Sequence, residues 1–382
     1  MKRISILGST GSIGRQTLDV CRWFANDLQV YCLAAGCNWR LLAAQAWEYK
    51  PQMIALADDS AYRDLKAELS GLSLEILAGE EGLIAAATEP QADIIVAAMA
   101  GMPGLKPAFA ALKAGKQLAL ANKEVLVAAG ALATNMVKKN DKPILPVDSE
   151  HSALYQCLLG EEQPAKLIIT ASGGPFRNKS KYELNTVTAA EALCHPTWNM
   201  GSKVTIDSAS LANKGLEVIE AHWLFGLDYD DIEVLIHPES IVHSLARFAD
   251  GSVKAQLGPA DMRLPIQYAL LGPARTANPL PPLDLAAIGS LNFAKPDNER
   301  FPALALAYAA GRAKESYAAV YNTANEVLGT AFLAGHISFT AISAGIEAAL
   351  TAHRSQSLTC LEDVLAVDAQ TRKFTERFIA SL

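Results

Sequence analysis

The sequence predicts an α/β protein in three parts: a helix-covered parallel sheet, a mixed central region and a helical end. Three observations predict it. Short apolar runs alternate with helical stretches over residues 1–147. Five of the seven histidines fall in the differently textured stretch 148–271. After a proline-dense segment, the chain from about 298 to its end is Ala-rich with helical period.

In the first part the apolar runs are Arg3–Leu7, Gln29–Ala34, Gln52–Ala57, Asp93–Met99, Gln117–Ala121 and Pro143–Val147. Stretches long enough for helices lie between most of them, the pattern of a parallel sheet buried on both faces. In the second part Leu167–Thr170 reads as a strand. Ser240–Phe248, Asp250-Gly251 and Ser252–Leu257 read as a hairpin turning at Asp-Gly, giving a mixed domain with an open-faced sheet. Six of the eighteen prolines lie between 272 and 302, which predicts an extended linker. Leu304–Lys314, Ala318–Leu333 and Ala341–Ala352, with a break at Gly335, then predict a small helical bundle. The expected division is 1–147, 148–271, a linker 272–297, and 298–382.

Composition narrows the function classes. With 382 residues, 51% of them hydrophobic and 19% charged, the chain can bury the cores of two or three domains. The net charge, 33 − 40 = −7, argues against a nucleic-acid partner but leaves room for a local basic pocket around a small phosphate. The six cysteines form no Cys-x-x-Cys pair, so neither a zinc knuckle nor a disulfide framework is expected. Met1–Thr10 reads as a strand running into a glycine turn rather than a secretion signal, and there is no apolar stretch of 18 residues. A soluble cytoplasmic protein without a membrane partner is expected.

Several motifs permit chemistry. Gly8-Ser9-Thr10-Gly11-Ser12-Ile13-Gly14 follows the first predicted strand and opens a helix. Glycines there let backbone N–H groups approach a phosphate at a helix N-terminus, so a Rossmann-like dinucleotide domain is expected, against a merely structural turn. No carboxylate follows the second strand, in Ala35-Gly36-Cys37-Asn38-Trp39-Arg40, which leans towards NADP over NAD. Arg40 can meet a 2′-phosphate or simply be solvated. Ala121-Asn122-Lys123-Glu124 ends a strand, where Lys123 can hold substrate oxygens; the alternative is an ordinary helix start with Glu124 in its first turn.

Asp148-Ser149-Glu150-His151 offers two carboxylates two residues apart, which share a side if the segment is a strand and then call for a cation or proton between them. The alternative is a helix capped by Asp148 or Ser149. Ser172-Gly173-Gly174-Pro175-Phe176 is a possible anion nest or a plain turn. His195 to Lys203, which includes Trp198, Asn199 and Met200, has no amphipathic period and suits a lid loop with a bulky tip. Farther on, Asn213 and Glu217 are four apart and Lys214 and Glu217 three apart on one predicted helix, beside Gly215. That spacing fits an ordinary Lys–Glu pair as well as a site, although Gly215 hints at a close approach. Together Asp148, Glu150 and Glu217 would make an all-oxygen set, suited to Mg²⁺ or Mn²⁺ rather than Zn²⁺. His222, between Ala221 and Trp223, reads as structural.

In combination these blocks resemble the 1-deoxy-D-xylulose 5-phosphate reductoisomerase family. The likeness rests on GSTGSIG at 8–14, NKE at 122–124, DSEH at 148–151, SGGPF at 172–176, HPTWNMG at 195–201, DSASLANKGLE at 207–217 and HPESIVHS at 237–244, and it covers essentially the whole chain. The resemblance implies NADPH held by Thr10, Gly11, Ser12, Ile13, Gly36, Asn38, Asn122, Glu124 and Gly201. It implies Mg²⁺ or Mn²⁺, with Co²⁺ also accepted, on Asp148, Glu150 and Glu217. Substrate would meet Lys123, Ser149, Glu150, Ser172, His195, Ser208, Asn213, Lys214 and Glu217. Catalysis would fall to Lys123, Glu150, His151, His195, Trp198 and His243, with loop 192–202 closing over the site.

The implied reaction converts 1-deoxy-D-xylulose 5-phosphate to 2-C-methyl-D-erythritol 4-phosphate by isomerisation and reduction, in isoprenoid precursor synthesis. Family members are homodimers. The departure is Cys37, where the family often has Lys or Arg suited to the 2′-phosphate. The competing enzyme reading is a metal-independent NAD(P)-dependent sugar-phosphate dehydrogenase, which leaves the three carboxylates unused; a non-catalytic nucleotide sensor leaves them unused as well.

Overall fold

The computed structural model describes residues 1–198 and 200–382, and the chain divides into two compact units. The first comprises Met1–Val125, Ala133–Ser152 and Met262–Leu280. The second comprises Leu126–Leu132, Ala153–Asp261 and Pro281–Leu382.

The first unit is built on a seven-stranded sheet of β1 (Lys2–Leu7), β2 (Leu28–Ala35), β3 (Met53–Leu56), β4 (Glu75–Ala78), β5 (Ile94–Ala97), β6 (Gln117–Leu120) and β7 (Leu145–Pro146). The order is β4-β3-β2-β1-β5-β6-β7, and every pairing is parallel. The order reverses direction at β1, between β2 and β5. In open α/β sheets, ligands bind beyond the strand ends at such a point. Ile4, Ile6, Leu33, Ile54 and Val96 are buried in the sheet and pack with Leu18 and Cys21 of helix Ser12–Trp23. Helix Arg263–Leu271 adds Ile266, Ala269 and Leu270 to the same core. The predicted strands appear within a few residues of their expected limits. The apolar reading passed over β4, a four-residue edge strand with no fully buried residue.

The second unit contains a four-stranded sheet, β8 (Lys166–Ala171), β9 (Ile232–Ile236), β10 (Val242–Arg247) and β11 (Val253–Leu257), in the order β11-β10-β8-β9. β10 and β11 form the expected antiparallel hairpin, with Gly251 at φ +86° in its turn. β8 pairs with β10 antiparallel and with β9 parallel. Between residues 281 and 301 there is only the short helix Leu285–Ile288 and a bridge from Ala294 to Ile236, consistent with the proline density. The expected bundle follows as helices Ala303–Ala313, Tyr317–Leu333, Phe339–Ala352 and Leu361–Ala380. Among the described residues no helix is long and apolar enough to cross a membrane.

Candidate functional site

The glycine turn of the first unit is shaped by steric necessity. A Cβ on Gly14 would lie 2.2 Å from the Gly8 carbonyl oxygen, and one on Gly8, at φ +93°, would lie 2.6 Å from that of Ala98. Ser9 is buried and pinned in both directions by Gln45: its hydroxyl donates to Oε1 at 2.8 Å, and Nε2 donates to its carbonyl at 3.0 Å. Helix Ser12–Trp23 starts at Gly11, where no side chain caps it. The first N–H groups of Ser12, Ile13 and Gly14 therefore have no side-chain cap, and a helix N-terminus of this kind suits an anion.

At the end of β2, a Cβ on Gly36 would meet nothing within 4 Å, and Cys37 is exposed. Asn38 caps helix Trp39–Tyr49 by accepting Leu41 N–H at 3.2 Å. Arg40 stacks on the Trp39 ring, 4.5 Å from its centroid.

Asn122 and Glu124 shape a strand-end loop. Asn122 Nδ2 donates to the carbonyls of Met99 and, at 3.0 Å, Gly101; its Oδ1 accepts Val125 N–H at 3.2 Å. Glu124 Oε1 accepts Gly101 N–H at 3.2 Å. Both side chains thus fix the backbone that follows β5. Between them, Lys123 directs its ammonium to Asp148 Oδ2 at 2.7 Å.

Asp148 and Glu150 do not lie on a strand as the alternation argument required. β7 stops at Pro146, and helix Ser149–Leu158 begins directly after Asp148. Asp148 Oδ1 takes Ser149 N–H at 3.0 Å, and the Ser149 hydroxyl donates to Glu150 Oε2 at 2.5 Å. Asp148 thus meets the first N–H of the helix with one oxygen and the Lys123 ammonium with the other. His151 is fully buried, with Nδ1 4.0 Å from Asp148 Oδ2.

In the second unit Ser172 follows β8, and Gly173 and Gly174 take positive φ of +81° and +68°. A Cβ on Gly174 would fall 2.7 Å from the Ser208 carbonyl oxygen, so this turn rests on helix Ser202–Ser210. That approach brings Ser172 and Ser208 to one imidazole. His195 Nε2 lies 2.9 Å from Ser172 Oγ and 3.1 Å from Ser208 Oγ. Its Nδ1 accepts the N–H groups of Thr197, at 3.2 Å, and Trp198, at 2.9 Å. The network thus assigns the ring proton to Nε2, which donates to one hydroxyl at a time. Burial, and then the charge of Arg177, push the His195 pKa down and favour this neutral ring.

The half-buried Trp198 ring lies 6.0 Å from that of His243, whose Nε2 is 3.3 Å from the Pro259 carbonyl oxygen. Gly201 is exposed and caps the start of helix Ser202–Ser210. Asn199, in the expected lid, lies outside the described residues.

Helix Ala212–Phe225 carries the third cluster. Asn213 Nδ2 donates to Glu217 Oε1 and Lys214 Nζ to Glu217 Oε2, each at 2.5 Å. Lys214 and Glu217 are both buried, so this is no solvated surface pair. Gly215 is required by packing: a Cβ would lie 2.5 Å from Ala307 Cβ and 2.8 Å from the Tyr321 hydroxyl. His222 is structural as expected. Its Nδ1 donates to the Leu227 carbonyl at 2.6 Å, and its ring stacks on Tyr229.

Three family models, described as 1-deoxy-D-xylulose 5-phosphate reductoisomerase, its C-terminal domain, and DXP reductoisomerase C-terminal domain, match residues 4–130, 144–225 and 257–374. The chain belongs to the 1-deoxy-D-xylulose 5-phosphate reductoisomerase family. The reductoisomerase of Moorella thermoacetica is 54% identical over 372 residues, 97% of each chain, and that of Geobacillus kaustophilus is 52% identical over 385 residues, the full length of both. The solved reductoisomerase of Zymomonas mobilis in complex with NADPH superposes with a TM-score of 0.94 at 42% identity, covering 100% of both chains. A DOX-P reductoisomerase structure in complex with NADPH, fosmidomycin and magnesium gives 0.94 at 40% identity, covering 100% of this chain and 98% of that one.

Reasoning from the sequence gave no role to several residues that support these clusters. Gln45, Arg177, Asp207 and Asn325 are distant in sequence from the side chains they touch or bias. For Gln45 and Asn325 the advance signal was a polar residue in an otherwise apolar helix; Arg177 lies in a turn, and Asp207 stands in the block 207–217 without a role of its own assigned.

Proposed function

We infer that this protein converts 1-deoxy-D-xylulose 5-phosphate to 2-C-methyl-D-erythritol 4-phosphate, using NADPH and a divalent cation. The observation that carries this reading is the pairing of carboxylates with lysines: Asp148 with Lys123, and Glu217 with Lys214 and Asn213. A dehydrogenase acting without metal has no use for such a set. Family membership across nearly the full chain, and the NADPH, magnesium and fosmidomycin named for a close structural neighbour, support the same reading.

The residues fit both cofactors. Asp148, Glu150 and Glu217 offer only carboxylate oxygens, the ligand chemistry of Mg²⁺ and Mn²⁺, with Co²⁺ also accepted. When bound, the cation supplies Lewis acidity for the sugar carbonyl. The uncapped helix after Gly11 suits the NADPH pyrophosphate, and the open space beside Gly36 admits the adenosine end. Thr10, Ser12, Ile13, Asn38 and Gly201 would also contact the dinucleotide, while Asn122 and Glu124 hold the Met99–Gly101 backbone that follows β5.

The chain's own side chains bind and orient the substrate. Ser172, Ser208, Asn213 and Lys214 grip the phosphate, with the His195 N–H shared between the two hydroxyls. Phosphate binding, remote from the reacting carbons, contributes to orientation and loop closure. Lys123, Ser149 and Glu150 contact the hydroxyketone end, and His151 buttresses Asp148. Trp198 and His243 close the apolar side, which excludes water from the aldehyde before its reduction. Residues 1–147 serve the dinucleotide, 148–271 the metal and sugar phosphate, and 298–382 the helical frame, joined through 272–297. The working form is a homodimer in the cytoplasm.

NADPH absorbance tests this with 1-deoxy-D-xylulose 5-phosphate, with Mg²⁺ and then with chelator. Oxidation should require both sugar phosphate and cation. Oxidation that persists in chelator would favour the dehydrogenase reading, and well-folded protein inert with metal present would sink the assignment.

A further inference from the structure

Helix Tyr317–Leu333 buries a polar stripe, Tyr321, Asn322, Thr323 and Asn325, none of which the reaction as described uses. Burying polar side chains costs free energy unless they are hydrogen-bonded, so their partners show what they hold. Two of them reach the elements that carry the proposed phosphate residues. Asn325 Nδ2 donates to Asp207 Oδ1 at 2.9 Å, and both residues are only 1% exposed. Lys203 Nζ pairs with the other oxygen, Oδ2.

Asp207 immediately precedes Ser208 on helix Ser202–Ser210. Its carbonyl accepts the Ser210 hydroxyl at 3.2 Å, and that hydroxyl accepts Ala212 N–H at 3.3 Å. Leu211, at φ +60°, turns the chain there into the helix bearing Asn213 and Lys214. Tyr321 secures the same corner: its hydroxyl donates to the Ala303 carbonyl at 3.0 Å and lies 3.5 Å from that of Ala212.

We propose that Asn325 is a positioning residue for the phosphate end of the substrate. By anchoring Asp207 it sets the rotation of helix Ser202–Ser210, and so the place of the Ser208 hydroxyl and of the turn that presents Asn213 and Lys214. Binding groups must be held within a few tenths of an ångström of their productive geometry, which requires supporting hydrogen bonds of this kind. The inference rests on the phosphate assignment above. It gives the C-terminal helices a part in ligand binding beyond holding up the fold.

Asn325→Leu, Asp207→Asn and the double variant test it, in full-length protein. The readouts are steady-state kinetics, calorimetric titration with 1-deoxy-D-xylulose 5-phosphate in the presence of Mg²⁺, and NADPH Kd. Asn325→Leu should raise KM for the sugar phosphate tenfold or more and weaken its binding in parallel. The NADPH Kd should stay within twofold of wild type. The double variant should be no worse than the poorer single one, because both substitutions break one chain of contacts.

A lowered melting temperature with unchanged KM and sugar-phosphate Kd would overturn the proposal and leave the helix a support. If Asn325→Leu does not fold, Asn325→Ser, which keeps a donor at shorter reach, should show a smaller rise of the same kind, and an unchanged KM there would count equally against it. Wild-type protein that neither turns over nor binds the sugar phosphate would instead sink the phosphate assignment, and this inference with it.

Discussion

Replacing Glu217 with glutamine removes one charge and almost no volume, so its effect isolates what the carboxylate does. Glu217 accepts from Asn213 and Lys214 at 2.5 Å each, and Lys214 is buried beside it at 4% exposure. Breaking a buried ion pair by removing one partner costs about 3–5 kcal/mol, because the remaining charge stays out of water. Glutamine keeps one acceptor oxygen but turns an amide N–H₂ towards one of the two donors. The loss should therefore be about 3 kcal/mol, equivalent to a melting point lower by roughly 6–12 °C for a unit of this size.

Turnover should fall by about a hundredfold or more, since the proposed all-carboxylate cation site would lose a charged ligand. The NADPH Kd should change by less than about twofold, because no dinucleotide contact is touched. Calorimetric unfolding, NADPH-coupled turnover over a Mg²⁺ titration, and NADPH fluorescence titration measure the three quantities. A Glu217→Gln protein as stable as wild type would refute the buried-pair argument. Parallel loss of NADPH affinity would refute the assignment of Glu217 to the metal.

Three further outcomes are expected. The pKa of His195 is pushed down, first by burial and then by Arg177, so between that lowered pKa and the ordinary value of about 6.5 the unfolded chain binds a proton that the folded chain does not. Stability should therefore fall as pH drops below about 6.5, and His195→Gln should flatten that part of the melting-temperature profile; an equally steep profile would place the titration elsewhere. Gly215→Ala should cost about 1–3 kcal/mol by forcing helix Ala212–Phe225 off Ala307 and Tyr321, with differential scanning fluorimetry as the check; an unchanged melting point would mean the helices separate freely. Cys37→Arg should raise the ratio of kcat/KM for NADPH over NADH by about threefold to tenfold, the gain of one exposed charge-assisted hydrogen bond; a constant ratio would locate 2′-phosphate recognition at another residue.

The sequence exposed the parallel sheet because burial on both faces leaves continuous apolar runs, and these need no partner to be recognised. β4 escaped because it is four residues long, lies at the sheet edge and has no fully buried side chain, so it carries neither an apolar run nor a clean alternation. The polar stripe of helix Tyr317–Leu333 escaped for a different reason. In an Ala-rich helix the contrast between faces is weak, and Asn322 and Asn325 look like an outer face until the partners on other elements are known. Gly215 was legible as a sign of close approach, and only the structure identified what approaches: Ala307 and Tyr321, on two helices of the C-terminal bundle.

Asp148 and His195 mark a deeper limit of sequence reasoning. At Asp148 spacing alone could not choose between a helix cap and a carboxylate pair sharing a cation; in the structure Oδ1 meets the adjacent Ser149 N–H while Oδ2 meets Lys123. His195 likewise serves the loop through Nδ1 and the two serine hydroxyls through Nε2. A side chain with two polar atoms can satisfy a local backbone demand and a distant chemical one together. A residue whose local role fully explains its presence has not thereby been excluded from the site. Lys214 and Glu217 complete the argument, since i,i+3 spacing suits a solvated surface pair equally well. The feature that separates them from one is burial, a property of the folded chain and not of the eleven-residue motif, 207–217, that contains them.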